Sequence, residues 1–144
     1  MNIQEEKVNE YLKEMVPLMI EHRKEINLFD RPLDPDFDSY LALEQAGFLK
    51  SYTLRDDGEL VGYVLYHVYN HLHHREVKVA QMDLIYVKPS HRLSGLKLLR
   101  YTEEALTKEG VSFILTGAPE ISRLGGVLEK KGYKVFEKMY IKEI

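Results

Sequence analysis

The stretch Gln81–Arg100, QMDLIYVKPSHRLSGLKLLR, contains the change of hydrophobic period that decides the fold. Its first part, Met82 to Val87, is apolar and ends just before Pro89, as a buried strand does. Its last part carries Leu96, Leu98 and Leu99, then Ala105 and Leu106, and this spacing predicts a helix from Ser94 to Lys108. Between them lies a short polar turn, Pro89 to Gly95. A helix that opens straight after a strand points unpaired N–H groups into the turn, and a glycine there lets a ligand approach the backbone. Together these features predict an anion site, with phosphate the usual anion.

Upstream, Glu59 to Tyr69 is apolar on both alternating faces, so it reads as a strand covered on both sides. Asp57-Gly58 predicts a hairpin turn joining it to a strand Phe48–Arg55. A polar connection, Asn70 to Arg75, leads into a strand Glu76–Lys88. His67, His71, His73 and His74 cluster around that connection without a zinc-ligand spacing, so they read as an exposed polar link. Two helices come first. Gln4–Ile26 is amphipathic through Val8, Tyr11, Leu12, Met15, Met19 and Ile20, and Pro17 predicts a kink or break. Pro35–Ala46 follows, capped by Asp34 and ended at Gly47.

Downstream, Gly110 closes the central helix. Val111–Thr116 reads as a short strand laid parallel beside its predecessor by a right-handed crossover. A helix Ile121–Lys131 ends at Gly132, and Tyr133–Ile141 reads as the last strand. Gly125-Gly126 costs that helix about 1 kcal/mol per glycine relative to alanine. Close approach of a ligand, tight packing on the sheet or a later helix start would each account for it. The element order predicts an α/β (α+β) chain with a mixed central sheet and helices on both faces, one domain over residues 1–144.

Composition narrows the function. The chain has 23 acidic and 20 basic residues, a net charge of −3. Nucleic acid is therefore not expected as a partner, since that needs a basic face. With no cysteine, a disulfide frame, a thiolate metal site and a cysteine nucleophile are excluded. No apolar run spans a bilayer and the N-terminus is polar, so no membrane partner and a cytoplasmic location are expected.

Tyr86-Val87-x-Pro89-x-x-Arg92-x-x-Gly95 resembles the acyl-CoA motif of the GNAT superfamily of N-acetyltransferases. In that family a strand ending (Y/V)-x-P is followed by Q/R-x-x-G-x-G/A. Lys97 stands where the final small residue would be. Glu129-Lys130-x-Gly132-Tyr133 resembles the family's E-K-x-G-F. The small size and the Lys-Pro-Ser-His-Arg turn look most like compact members encoded by bacteriophages.

The resemblance implies that two parallel strands splay and that the pantetheine arm of acetyl-CoA, the co-substrate, fills the gap. Here the pair would be the strand ending at Val87 and the strand Val111–Thr116. It further implies that the amide of Tyr86 or Val87 holds the thioester oxygen, and that Arg92, Leu93, Ser94, Gly95, Leu96 and Lys97 hold the pyrophosphate. No metal is implied. Asp83, a carboxylate on an otherwise apolar strand, is the candidate base toward a primary amine on a small molecule or a protein. Leu128 replaces the tyrosine that protonates the leaving thiolate in many members, and Ile121 stands at the usual asparagine. Tyr133 and Tyr140 are the substitutes, or there is no acid at all. Lys97 and Leu128 favour an alternative, a binding protein that keeps the fold with little or no turnover. A homodimer is left open.

Overall fold

The computed structural model describes residues 1–27 and 29–144. In chain order the elements are β1 (Asn2–Glu5), α1 (Val8–Glu25), α2 (Phe37–Gln45), β2 (Leu49–Asp56), β3 (Glu59–Asn70), β4 (Lys78–Val87), a 3-10 turn (Pro89–Ser94), α3 (Gly95–Lys108), β5 (Phe113–Thr116) and α4 (Leu124–Lys130). The five strands form one sheet in sequence order. β1 to β4 pair antiparallel, and β5 joins β4 in parallel. The sheet is therefore mixed, as expected.

Each face of the sheet buries its own apolar layer. Tyr52, Leu54, Val64, Tyr66 and Met82 pack against Leu98, Leu99 and Leu106 of α3. Leu49, Leu60, Tyr63, Leu65 and Tyr86 pack against Val8, Tyr11, Met15 and Leu18 of α1. β3 contributes to both layers, which explains why both of its alternating faces are apolar. The β2–β3 hairpin turns at Asp57 and Gly58, with φ of 47° and 85°. Two positive φ values in a row are what a two-residue hairpin demands, and glycine meets that demand without strain.

Four expectations are corrected. The first helix does not begin at Gln4. Asn2–Glu5 instead pairs with β2 as an edge strand, the Glu6 N–H bonds the Ser51 carbonyl at 3.1 Å, and α1 begins at Val8. Pro17 does not interrupt α1. The hydrogen bond that proline removes is offset by the burial of Met15, Leu18 and Met19 on both sides of it. The second helix starts at Phe37, because Asp36 and not Asp34 caps it, accepting from the Ser39 N–H at 3.0 Å. Finally, Tyr133–Ile141 forms no strand. β5 is the last strand of the sheet, and a groove of about 410 Å³ separates its edge from the start of that segment.

Gly125 and Gly126 lie in the first turn of α4. An added Cβ at Gly125 would meet only Ala118 at an ordinary 3.6 Å, and at Gly126 nothing. Tight packing does not account for them.

Candidate active site

β4 and β5 stay together for four residue pairs only, from Val79↔Phe113 to Met82↔Thr116. β5 ends at Thr116, so the rest of β4 has no paired strand on that side. The break coincides with a β-bulge in β4. Leu65 faces Leu84 and Tyr66 faces Met82, so Asp83 is the extra residue. A bulge bends its strand and increases the local twist, so the course of β4 changes at the residue after its last pair with β5.

That half, Leu84 to Val87, is paired with β3 on one side and open on the other. Lys88 donates to the Val61 carbonyl at 2.8 Å, so Lys88↔Val61 is a hydrogen-bonded pair. Pairs alternate in an antiparallel ladder, so Ile85 and Val87 turn their N–H and C=O groups away from β3 into the opening. Of the two amides that the sequence left open, Tyr86 and Val87, it is Val87 that faces the gap. Gly62 permits this path. A Cβ there would stand 2.9 Å from both the Tyr86 carbonyl oxygen and Val87 Cγ2.

The turn after β4 is more tightly wound than a bare loop. Pro89–Ser94 is 3-10 helix, and the Gly95 N–H donates to the Arg92 carbonyl. Gly95 has an ordinary right-handed helical φ of −57°. An added Cβ there would touch only Val87 Cγ2, at 3.6 Å. Neither backbone conformation nor internal packing calls for glycine at this position. Leu93, Leu96 and Lys97 are exposed around it, while Ser94 is half-buried. His91 fastens the turn to the hairpin through Asp56 at 3.0 Å, and Lys88 pairs with Glu59.

α1 closes over the same place, a feature the sequence did not reveal. Arg92 makes a two-pronged pair with Glu25, at 2.8 and 3.3 Å, and its guanidinium lies 5.7 Å from the centre of the Tyr86 ring. The Tyr86 hydroxyl donates to Glu21 at 3.0 Å. Burial and that carboxylate push the Tyr86 hydroxyl up to about 12. The ring of His22 packs 5.1 Å from that of Tyr86, and burial lowers its pKa. The two hydrogen-bonded pairs are 65 and 67 residues apart, so no local pattern marks them.

Asp83 and Tyr133 are not brought together. Asp83 stands exposed at the bulge, with His67 Nε2 3.4 Å away. It also faces the α2 layer: burial first, then the Asp83 charge, raises the pKa of Tyr40. The buried Tyr63 hydroxyl, on the same face, has no hydrogen-bond partner among the described residues. Tyr133 instead donates to Glu103 of α3 at 2.9 Å. Eight residues of helix, about 12 Å of rise, separate Glu103 from Gly95. Burial and the Glu103 carboxylate push the Tyr133 hydroxyl up. His71, His73 and His74 stack near one another. No group of three or more metal-ligating side chains is present among the described residues, and no helix there is long and apolar enough to cross a membrane.

The second half of β4 is thus open on the side where β5 ends, and α3 begins just beyond it. Residues 13–122 match the family model of the acetyltransferase (GNAT) family, and the chain belongs to that family. No curated protein matches the chain. Solved structures do. A ribosomal-protein-alanine N-acetyltransferase from Brucella melitensis biovar Abortus 2308 is 21% identical, with full coverage of both chains and a TM-score of 0.76. The aminoglycoside N-acetyltransferase AAC(6')-Iy in complex with CoA is 17% identical over 99% of this chain and 98% of its own, with a TM-score of 0.73. An aminoglycoside acetyltransferase from an uncultured soil metagenomic sample, in complex with sisomicin, is 14% identical over 99% and 93%, also at 0.73. At these identities the likeness is one of fold.

Proposed function

We propose that residues 1–144 form one GNAT domain that transfers an acetyl group from acetyl-CoA to a primary amine. The observation that carries this reading is the end of β4–β5 pairing at Met82↔Thr116, with α3 opening beyond it. Bound acetyl-CoA would supply an activated thioester carbonyl. The open backbone of Ile85 and Val87 offers this arm the hydrogen bonds that a neighbouring strand would make. Val87 is the donor assigned to the carbonyl oxygen. Arg92, Leu93, Ser94, Gly95, Leu96 and Lys97 surround the place for the pyrophosphate. Gly95 supports this fit, because it costs helix stability and nothing inside the protein requires it.

Asp83 is assigned the base. An ammonium acceptor must lose a proton before its nitrogen can attack, and a carboxylate at the mouth both attracts the cation and takes that proton. Attack forms the C–N bond and a tetrahedral oxyanion, whose collapse breaks the C–S bond. CoA leaves as the thiolate, and the second proton of the nitrogen passes to that thiolate or to water. No side chain is assigned to protonate the departing sulfur, since Tyr133 is held by Glu103 and Leu128 is buried. Related folds act on a protein amine and on aminoglycosides by their names, and both acceptor classes fall within this reading. The test is thiol release from acetyl-CoA with a panel of amines, alongside thermal shift with CoA. Stabilisation by CoA with no thiol release from any amine would favour the alternative, a binding protein on the same frame. No stabilisation and no release would end the proposal.

A further inference from the structure

Asp83 and His67 meet because of the bulge in β4. Met82 packs in the layer under α3, so alternation along the strand puts Asp83 on the opposite face. Leu84 packs on that opposite face too, under α1. The bulge therefore sets two successive side chains on one side of the sheet, the usual way a bulge re-aims a residue. On β3, His67 follows Leu65 by two positions and emerges on the same face. The result is a cross-strand pair, His67 Nε2 to Asp83 Oδ1 at 3.4 Å, with the side chains 40% and 38% exposed.

An ion pair this exposed contributes little to stability, so the fold does not depend on it. Its place is more telling. It stands beside Met82↔Thr116, the last pair between β4 and β5, where the open half of β4 begins. Among the described residues, His67 is the only basic side chain within ion-pair distance of Asp83. Tyr40 of α2 and Tyr63 of β3 also face that carboxylate, and burial raises both hydroxyls above the ordinary tyrosine value, so neither ionises near neutrality. Leu49 of β2 and Gln81 of β4 stand opposite His67 and are uncharged. Of the side-chain types around Asp83, imidazole alone changes charge near neutral pH.

We propose that His67 is a positioning residue for Asp83, orienting its carboxylate and, through its own charge, setting how strongly that carboxylate draws a proton. This rests on the acetyl-transfer reading with Asp83 as the base. Neutral imidazole donates its Nε2–H to Oδ1 and leaves Oδ2 free to take the proton of an arriving ammonium. At 3.4 Å the contact is longer than a hydrogen bond, and catalytic contacts of this kind tighten in the reacting complex. Imidazolium in the same place holds the carboxylate in its charged form and makes it a weaker base. The proton taken by Oδ2 passes on to water, to which the side chain is exposed. Acetyl transfer should therefore speed up as pH rises through the range where imidazoles lose their charge.

The test compares the native protein, His67→Ala and His67→Gln in rate against pH, CoA titration and thermal melting. His67→Ala should melt like the native protein, bind CoA as tightly and lose about 10- to 100-fold in kcat, the worth of one hydrogen bond to a charged group. His67→Gln, whose amide N–H still reaches Oδ1, should recover most of that loss. It should also lack the native rise in rate between about pH 6 and 7.5. With no cofactor present, the ring nitrogens of His67, followed by NMR, should shift on Asp83→Asn. An unmoved ring overturns the inference, as does a pH rise that survives in His67→Gln. If His67→Ala does not fold, those two readouts decide. A native rate in His67→Ala beside a slow Asp83→Asn removes His67 and leaves the base assignment standing. A native protein that acetylates no amine removes both.

Discussion

Glu25, the last residue of α1, grips Arg92 across the mouth of the cleft, 2.8 Å and 3.3 Å from its two terminal nitrogens. The motif arginine is thus already neutralised by a neighbour. A phosphate arriving there must compete with the carboxylate or tolerate it.

Glu25→Gln should therefore tighten CoA binding. The pair is solvent-exposed, so the gain is of order 0.5–1 kcal/mol, roughly two- to fivefold in Kd. Calorimetric titration of CoA measures it. Weaker or unchanged binding would show that Arg92 does not meet the phosphates.

At Gly95, stability and binding should move in opposite directions. Its φ is helical and a methyl group fits, so Gly95→Ala should raise the unfolding free energy by up to about 1 kcal/mol. The same change should weaken CoA binding, and Gly95→Glu should weaken it by about tenfold or more through added bulk and like charge. Denaturant melts and CoA titrations on both variants supply the readouts. Native affinity in Gly95→Glu would remove this turn from the site.

Asp83→Asn should lower kcat by about 10²–10⁴-fold, the usual worth of a positioned base. CoA affinity should stay close to native, because Asp83 lies at the bulge and not at the helix opening. Raising the pH, which frees the amine without help, should restore part of the rate. A variant that turns over normally at neutral pH refutes the assignment.

Gly62→Ala tests the path of β4. The new methyl would collide with the Tyr86 carbonyl and Val87 Cγ2 at 2.9 Å. A shift of the strand should cost about 1–3 kcal/mol in urea unfolding. Turnover should fall as well, although Gly62 lies on β3, because Val87 would move. A stable, fully active variant would mean that the position of Val87 does not matter.

Acid should unfold the protein partly through Glu6. Burial alone would raise the Glu6 pKa, but hydrogen bonds from Arg55, Thr53 and Gln4 outweigh burial and hold it below the ordinary 4.5. A depressed carboxylate contributes stability that is complete above its unfolded pKa and is lost as pH falls through the folded one. Stability should thus decline below about pH 4.5, and Glu6→Gln should flatten that limb of a melting-temperature profile. An unchanged limb would place the acid sensitivity elsewhere.

Much of this molecule is written in local patterns. The two-residue period of β3, the turn at Asp57-Gly58 and the break from strand to helix at Pro89 each depend on neighbours in sequence, and each was legible. The elements that went astray depend on distant partners. Asn2–Glu5 is a strand because β2 offers an edge, and α1 tolerates Pro17 because Met15, Leu18 and Met19 around it are buried against the sheet. Segment 134–144 has strand-like alternation, but alternation does not say whether a partner lies within reach.

The site divides along the same line. Sequence alone determined the turn chemistry of Arg92 and Gly95 and placed an odd carboxylate on β4, since side-chain type and spacing are properties of the chain itself. Only the tertiary structure decided that Asp83 is the bulged residue next to the last β4–β5 pair, that Val87 is the amide facing the open side of β4, and that Glu25 holds Arg92. Each of those facts is a relation between segments whose meeting depends on how the sheet twists and which helix packs over it, and that information does not reside in any one stretch of residues.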